Sequence, residues 1–385
     1  MPSANSKHIV IVAGEESGDR LAAEIVHQFK IEHPHVHFSG IGGHHLQAAG
    51  VDLISDLARF GVTGVTEVFR HAYTLRQAFK AIQAHLLLHK PELLILVDYP
   101  GFNLRLAKFA KRHHIRVLYY VSPQIWAWKA SRIHTIRACV DRMAVILPFE
   151  KKIYENAGVP ATFVGHPLMR HMKTPVPQNE SRQALGLPVN QRLLAMLPGS
   201  RTHEVERHMP VLIETARRLL HQNSELHFVI PIANTLSPAL MQSYITQSNL
   251  PITLIQGKAV EVAACSDCII VASGTASLEC ALLGKPMCII YKCAPLSYII
   301  GCCLVQIQYL GLCNILQNRM VVPELIQHDC NADELTSLVN QLLENSKLAK
   351  AITENLSHLK KSLSADEADL TIKEVVLREL NMAVI

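Results

Sequence analysis

Several ingredients are scarce in this 385-residue chain, and each scarcity closes a class of function. Aromatic residues make up only 5%, and 37 Lys and Arg stand against 32 Asp and Glu, for a net charge of +5. That excess suits small anionic ligands such as nucleotide diphosphates or acidic lipids. It falls short of a nucleic-acid surface, and no RNA- or DNA-binding motif accompanies it, so no nucleic-acid partner is expected. No GxGxxG follows the first apolar run, which removes a dinucleotide-binding dehydrogenase. That run breaks at Gly14-Glu15-Glu16, too early for a signal peptide. The long uncharged stretch from Cys293 to Asn318 contains Pro295, Gln306, Gln308, Asn314 and two glycines, and does not read as a spanning helix. A soluble protein is expected, with contact to a membrane surface left open.

Metal chemistry lacks its ingredients too. Of the ten cysteines, Cys265 and Cys268 form one CxxC, with no second pair and no Cys/His partner at zinc spacing. Nine of the ten lie between Cys265 and Cys330, mostly in apolar runs, and read as small buried hydrophobes of a reducing compartment. The alternating histidines at 33, 35 and 37 have no carboxylate at ligand spacing, and they, His44-His45 and His113-His114 read as surface residues. Neither a metal nor a cofactor is expected.

What is present is strand-helix alternation. The length is too great for one ordinary core and fits two α/β domains, while 49% hydrophobic and 18% charged residues exclude disorder. Apolar runs at His8–Ala13, Val36–Ser39, Leu93–Val97, Arg116–Val121 and Arg142–Leu147 alternate with helical patterns at Asp19–Ile31, Asn103–His113 and Phe149–Ala157. The rhythm stops at Thr174–Glu180, a proline-bearing linker. It restarts with strands Arg192–Leu197, Leu226–Ile230, Ile252–Ile255, Cys268–Val271 and Met287–Tyr291, and helices near His203–His221 and Ser277–Leu283. The expected fold class is α/β, two Rossmann-like doubly wound domains facing across a cleft. The expected boundaries are 1–173, a linker at 174–190, 191–360, and a C-terminal helix at 361–385 that packs back on the first domain.

In such sheets ligands bind beyond the carboxyl ends of strands, so four strand-end motifs matter. Gly14-Glu15-Glu16-Ser17-Gly18-Asp19 allows a sharp turn, and Ser17 or Asp19 can cap the following helix. Its two carboxylates would repel a pyrophosphate, so it suits a polyol or amino-sugar acceptor, unless it is a plain N-cap. Asp98, ending a buried strand before Tyr99-Pro100-Gly101, is either a general base for an attacking hydroxyl or a cap for the helix at Asn103. Pro198-Gly199-Ser200-Arg201 offers backbone N–H groups and a forked guanidinium to a pyrophosphate. Ser273-Gly274-Thr275-Ala276-Ser277 offers a second phosphate-shaped turn, with Glu279 near the first helical turn for ribose hydroxyls.

These residues resemble a known family. GEESGD, LVDYPGFN, YYVSPQIWAWKASR at 119–132, LPFE at 147–150, VGHP at 164–167, LPGSR at 197–201, SGTASLE at 273–279, NIL at 314–316 and VPELIQ at 322–327 occur in the order of lipid-A-disaccharide synthase. The resemblance implies an inverting, metal-independent glycosyltransferase of the GT-B fold. Its donor would be UDP-2,3-diacylglucosamine and its acceptor 2,3-diacylglucosamine-1-phosphate, joined at the cytoplasmic face of the inner membrane. It implies that Asp98 is catalytic, with Glu15 as its rival for the general base. Gly199, Ser200, Arg201, Gly274, Thr275, Ala276, Ser277, Glu279 and Asn314 would lie on the donor side. Ser17 and Gly18 would meet the acceptor. Three positions depart from the pattern: Cys313 replaces a proline, Tyr99-Pro100-Gly101 replaces Ala-Pro-Asp, and Glu16 replaces a small residue.

The rivals are a nucleotide-sugar 2-epimerase or another UDP-sugar transferase, and a non-catalytic nucleotide-binding peripheral protein. One further pattern bears on lipid. Val65, Val68, Phe69, Ala72, Leu75, Phe79, Ile82 and Leu86 form a helical apolar stripe. Either the helix packs on its own sheet, or its start at Val65, Val68 and Phe69, with Arg70, His71, Arg76 and Lys80 nearby, meets acyl chains at the membrane surface. Oligomeric state is not readable from the chain, which leaves room for a homodimer.

Overall fold

The computed structural model describes residues 7–57, 65–171, 176–295, 298–299, 308–344 and 347–382, without the side chains of 65–72, 171 and 365. The chain divides into two compact units. One runs to His171 and resumes at Leu363, and the other spans Met172–Ser362.

The first unit holds seven strands: β1 (His8–Ala13), β2 (His37–Gly42), β3 (Asp52–Asp56), β4 (Leu93–Val97), β5 (Val117–Tyr120), β6 (Arg142–Val145) and β7 (Ala161–Phe163). They pair in parallel in the order β3-β2-β1-β4-β5-β6-β7. Alternation along β1 sorts side chains to two faces. Val10 and Val12 join Leu94, Leu96, Phe102 and Ile82 in one core. Ile9, Ile11 and Ala13 join Phe29, Leu93 and Ile95 in the other. Helices cover both faces, which is why the strands read as unbroken apolar runs. The second core also takes Ile372, Val375, Val376 and Leu377 from the C-terminal helix Ile372–Glu379. Ion pairs from Glu379 to Arg142 (2.5 Å) and from Lys373 to Glu32 (2.8 Å) fasten that helix.

The second unit repeats the plan with β8 (Arg192–Leu197), β9 (Leu226–Ile232), β10 (Ile252–Gln256), β11 (Cys268–Ala272), β12 (Met287–Tyr291) and β13 (Glu324–Ile326). Its order is β10-β9-β8-β11-β12-β13. In both sheets the direction of winding reverses between the first and fourth strands, and a crevice opens there beyond the strand ends. The positions that matter are therefore those following β1 and β4, and those following β8 and β11.

Within the expected linker, Gln178–Ala184 is a helix. Its Arg182 is buried, donates to the carbonyl oxygens of Cys265, Val189 and Gln191, and pairs with Asp267 at 2.8 Å. Cys265 and Asp267 lie 83 and 85 residues away, so no local periodicity announces those contacts. The apolar stripe opens the helix Val65–His89, and from Leu75 onward it is core: Ile82 and Leu86 are fully buried, with Leu75 and Phe79 packed beside them. The side chains of Val65, Val68, Phe69 and Ala72 lie outside the described residues.

Candidate active site

The first unit's switch point lies between β1 and β4, so Glu15 and Asp98 emerge there together. Asp98 and Tyr99 both adopt left-handed backbone, each at φ 47°. For non-glycine residues that costs about 1–3 kcal/mol apiece, sustained only where neighbours over-determine it. Here they do. The Asp98 N–H donates to the Tyr120 carbonyl at 3.0 Å, and the Asp98 carbonyl accepts from Tyr119 Oη at 2.5 Å and Asn103 Nδ2 at 2.8 Å. The helix Pro100–Arg112 has no side-chain cap, which removes the capping role for Asp98. Burial pushes the Asp98 carboxyl up to about 6, the Glu15 carboxylate adds to the rise, and the Tyr99 N–H opposes it. Asp98 is thus a carboxylate that readily takes a proton near neutrality, beside a second acid.

Gly14 is required by this arrangement, since the Tyr99 ring lies 2.1 Å from where a Cβ would sit. The helix Glu16–Glu32 also lacks a side-chain cap. Asp19 does not cap it. Buried completely, Asp19 accepts instead from Gly43 N at 2.6 Å, His45 N at 2.9 Å and Leu46 N at 3.3 Å, starting the helix His44–Ala48. Ser17 is exposed, whereas Gly18 is buried against Ala13 and Val97, a packing position rather than an open contact. At the surface, Glu16, His44 and His45 bring one ligand atom each within 4.8 Å of one another. Sequence spacing hid that group because two separate helix starts build it.

The second unit's switch point opens a pocket of about 270 Å³ lined by Gly199, Ser200, Arg201, Glu204, Pro231, Ala233 and residues from Val271 to Ala276. The two glycine turns therefore meet in one cavity. The N–H groups of Ser200 and Arg201 are not open to a phosphate, however. Glu204 Oε2 accepts both, at 3.0 and 3.3 Å, and Glu204 Oε1 takes the Arg201 guanidinium at 3.2 Å. Gly199 makes room for it at φ 118°, where a Cβ would fall 2.4 Å from that carboxylate. The capacity for anions rests on the exposed Arg201 fork and on the start of the helix Thr275–Leu282, where the first N–H groups lack intrahelical partners.

Other expected donor residues stand apart from the pocket lining. Ser277 is buried, and its hydroxyl donates to the Gly274 carbonyl at 2.7 Å. Glu279 falls in the second helical turn, because the helix begins at Thr275 rather than Ser277. Asn314 is fully buried, with every hydrogen-bonding position used. Its Oδ1 accepts from Val321 N and Val322 N, and its Nδ2 donates to Val322 O and Glu324 Oε1. Glu324 in turn accepts from Leu310 N and Gly311 N. Asn314 holds a loop together and offers no free polar atom to a ligand.

One residue was not foreseen. His208 is wholly buried, with Nδ1 2.6 Å from the Pro198 carbonyl and Nε2 accepting from Lys292 N at 2.9 Å. Those partners fix one neutral tautomer, and burial lowers its pKa. It ties the turn after β8 to the end of β12.

A model of the lipid-A-disaccharide synthetase family matches residues 9–379. Lipid-A-disaccharide synthase 1 of Legionella pneumophila (strain Philadelphia 1) is 53% identical over 377 residues, 98% of each chain. The lipid-A-disaccharide synthase of Geobacter sulfurreducens is 38% identical over 384 residues, 100% of each. Two solved structures share the fold at low identity. They are UDP-GlcNAc 2-epimerase from Neisseria meningitidis bound to UDP-GlcNAc, and the glycotransferase of kitacinnamycin. The epimerase has a TM-score of 0.62 at 12% identity, over 97% of this chain and 100% of its own. The glycotransferase has a TM-score of 0.63 at 13% identity, over 98% and 100%. The fold is that of GT-B enzymes, and the sequence match reaches much further than fold. The chain belongs to the lipid-A-disaccharide synthetase family.

Proposed function

We propose that the chain transfers 2,3-diacylglucosamine from UDP-2,3-diacylglucosamine to 2,3-diacylglucosamine-1-phosphate, giving the β-1,6-linked disaccharide 1-phosphate and UDP. The observation that carries the assignment to residues is Asp98. It is strained and half-buried at a switch point, with its carboxyl pushed up to about 6 and the Glu15 carboxylate near enough to contribute. In this reading the acceptor's 6-hydroxyl attacks C1 of the donor sugar from the face opposite the UDP. The bond from C1 to the phosphate oxygen breaks, and Asp98 receives the hydroxyl proton. Glu15 orients the acceptor and keeps the Asp98 proton affinity high. The electron pair leaves on UDP, whose pyrophosphate meets the Arg201 guanidinium and the N–H groups that open the helix Thr275–Leu282.

Both substrates carry acyl chains, so contact with the inner membrane's cytoplasmic surface belongs to this reading, with Val65, Val68 and Phe69 as the apolar contact. No helix among the described residues is long and apolar enough to cross a membrane. A UDP-release assay tests the proposal. Release that requires both donor and acceptor supports it. UDP binding without release would make the chain a non-catalytic binder, and release without acceptor would make it a hydrolase.

A further inference from the structure

The loop between β5 and the helix Arg132–Cys139 leaves the carboxyl end of the strand next to the one that ends at Asp98. Its inner side is fastened down. Trp126 Nε1 donates to the buried Glu150 carboxylate at 3.0 Å and its ring packs edge-on against Phe149, while the buried Tyr154 hydroxyl donates to the Pro123 carbonyl at 3.1 Å. Its outer side does the opposite and presents Trp128, 42% exposed. Two cations share that one indole: Lys129 Nζ lies 4.5 Å from the ring centroid and the Arg132 guanidinium carbon 4.9 Å. Lys129 is held there in left-handed backbone at φ 54°, and the Arg132 N–H closes the turn on the Lys129 carbonyl at 3.0 Å. Among the described residues neither side chain has a carboxylate partner. Arg132 is also near enough to Tyr119 to oppose the rise that burial imposes on its hydroxyl, and that hydroxyl donates to the Asp98 carbonyl.

Two like charges gathered around one indole repel each other even as each is drawn to the ring, and an anion that joins them relieves the repulsion. We propose that Lys129 and Arg132, on the Trp128 platform, form the subsite for the phosphomonoester of the acceptor sugar and so select a 1-phosphorylated acceptor. This rests on the transferase reading given above. A phosphomonoester carries about −1.5 to −2 charge at neutral pH, which matches two cations, and a guanidinium fork suits its oxygens. An uncharged sugar would gain nothing there.

The test compares wild type with Lys129→Asn and Arg132→Gln, singly and together. Asparagine tolerates left-handed backbone, and melting temperatures confirm that each variant folds. Acceptor kinetics are measured in neutral detergent micelles with diacylglucosamine 1-phosphate and with its 1-O-methyl counterpart. The double variant is expected to raise KM for the phosphorylated acceptor about 10- to 100-fold, with UDP affinity by calorimetry at the wild-type value. On the methyl counterpart wild type and variant should perform alike, both poorly. Equal losses on the two acceptors, or an unchanged KM for the phosphorylated one, overturns the subsite. A deficit seen only on phosphatidylglycerol vesicles, and absent in micelles, overturns it too, because the ligand is then a membrane headgroup. If wild type makes no product from either acceptor, the transferase reading itself has failed, and the variants are not needed to see it.

Discussion

Asn103 Nδ2 donates to the carbonyl oxygens of Asp98 at 2.8 Å and Val97 at 3.1 Å, tying the last turn of β4 to the helix that follows. The Asp98 side chain does not cap that helix, and its carboxylate accepts from the Tyr99 N–H. The carboxylate, not the acid, is the competent base, so kcat/KM should climb as pH rises through about 6 and level off above it. Asp98→Asn keeps size and polarity but cannot accept the proton. It should fold, bind UDP, lose turnover by about 10²–10⁴-fold and lose the pH limb. Because burial raises this group above its unfolded value, its charge costs stability at neutral pH and nothing below about 4. The variant should therefore melt higher than wild type at pH 8 and nearly together with it at pH 4. Near-normal turnover in a folded Asp98→Asn protein would transfer the base to Glu15.

Arg201 is the exposed cation of the second unit's pocket, held at one edge by Glu204. Arg201→Ala should weaken UDP binding about ten- to a hundred-fold, the worth of a hydrogen bond to a charged group. Arg201→Lys should recover only part, because a point charge cannot fork across two phosphate oxygens. UDP titration calorimetry, with and without EDTA, reads both effects. Wild-type affinity in Arg201→Ala would remove it from the donor site, and loss of binding in EDTA would show that a metal shares the load.

Asn314 is predicted to act through structure. Asn314→Ala strands the N–H groups of Val321 and Val322 in the interior and removes one of the two donors to Glu324 Oε1. A loss of about 2 kcal/mol or more in unfolding free energy is expected by denaturant titration. An Asn314→Ala protein as stable as wild type but impaired in UDP binding would instead give the side chain a direct role.

A histidine group at the amino ends of β1 and β2 should make that unit acid-sensitive. His8 Nε2 and His85 Nε2 share the Ser39 hydroxyl at 2.8 Å each, with His37 and His89 close by. Burial first, then His37, His85 and His89, push His8 down to about 4, with Glu92 opposing. Burial, His89 and His37 also lower His85, with Asp52 opposing. The unfolded chain takes a proton near 6.5 that the folded one refuses until about 4. The stability is thus whole above 6.5 and falls as pH drops towards 4. His8→Gln should shrink the fall in urea midpoint between pH 7 and pH 5. An unchanged fall would place the sensitivity elsewhere.

The central strands were legible because helices cover both faces and leave unbroken apolar runs. Three strands went unannounced, and all three are sheet edges. β3 and β13 are only half-buried, and β7 is three residues long. The four strand-end motifs fall at the two switch points, directly after β1, β4, β8 and β11. Four side-chain pairings went unforeseen: Asp19 serves another helix, Glu204 folds back over its own phosphate-shaped turn, Asn314 staples a loop, and His208 bridges two strand ends. The Asp19 and Lys292–His208 bonds cross 24 and 84 residues and are decided by the tertiary fold, whereas Glu204 follows a local capping-box spacing.

The transferase assignment is tested most directly by mass. Purified protein is incubated with UDP-2,3-diacylglucosamine and 2,3-diacylglucosamine-1-phosphate, beside an Asp98→Asn control, and the lipid fraction is weighed by mass spectrometry. The account predicts a tetra-acylated disaccharide monophosphate in the wild-type reaction, formed with equimolar UDP and nearly absent from the control. Free diacylglucosamine, an epimerised UDP-sugar or unchanged substrates in the wild-type reaction would contradict it.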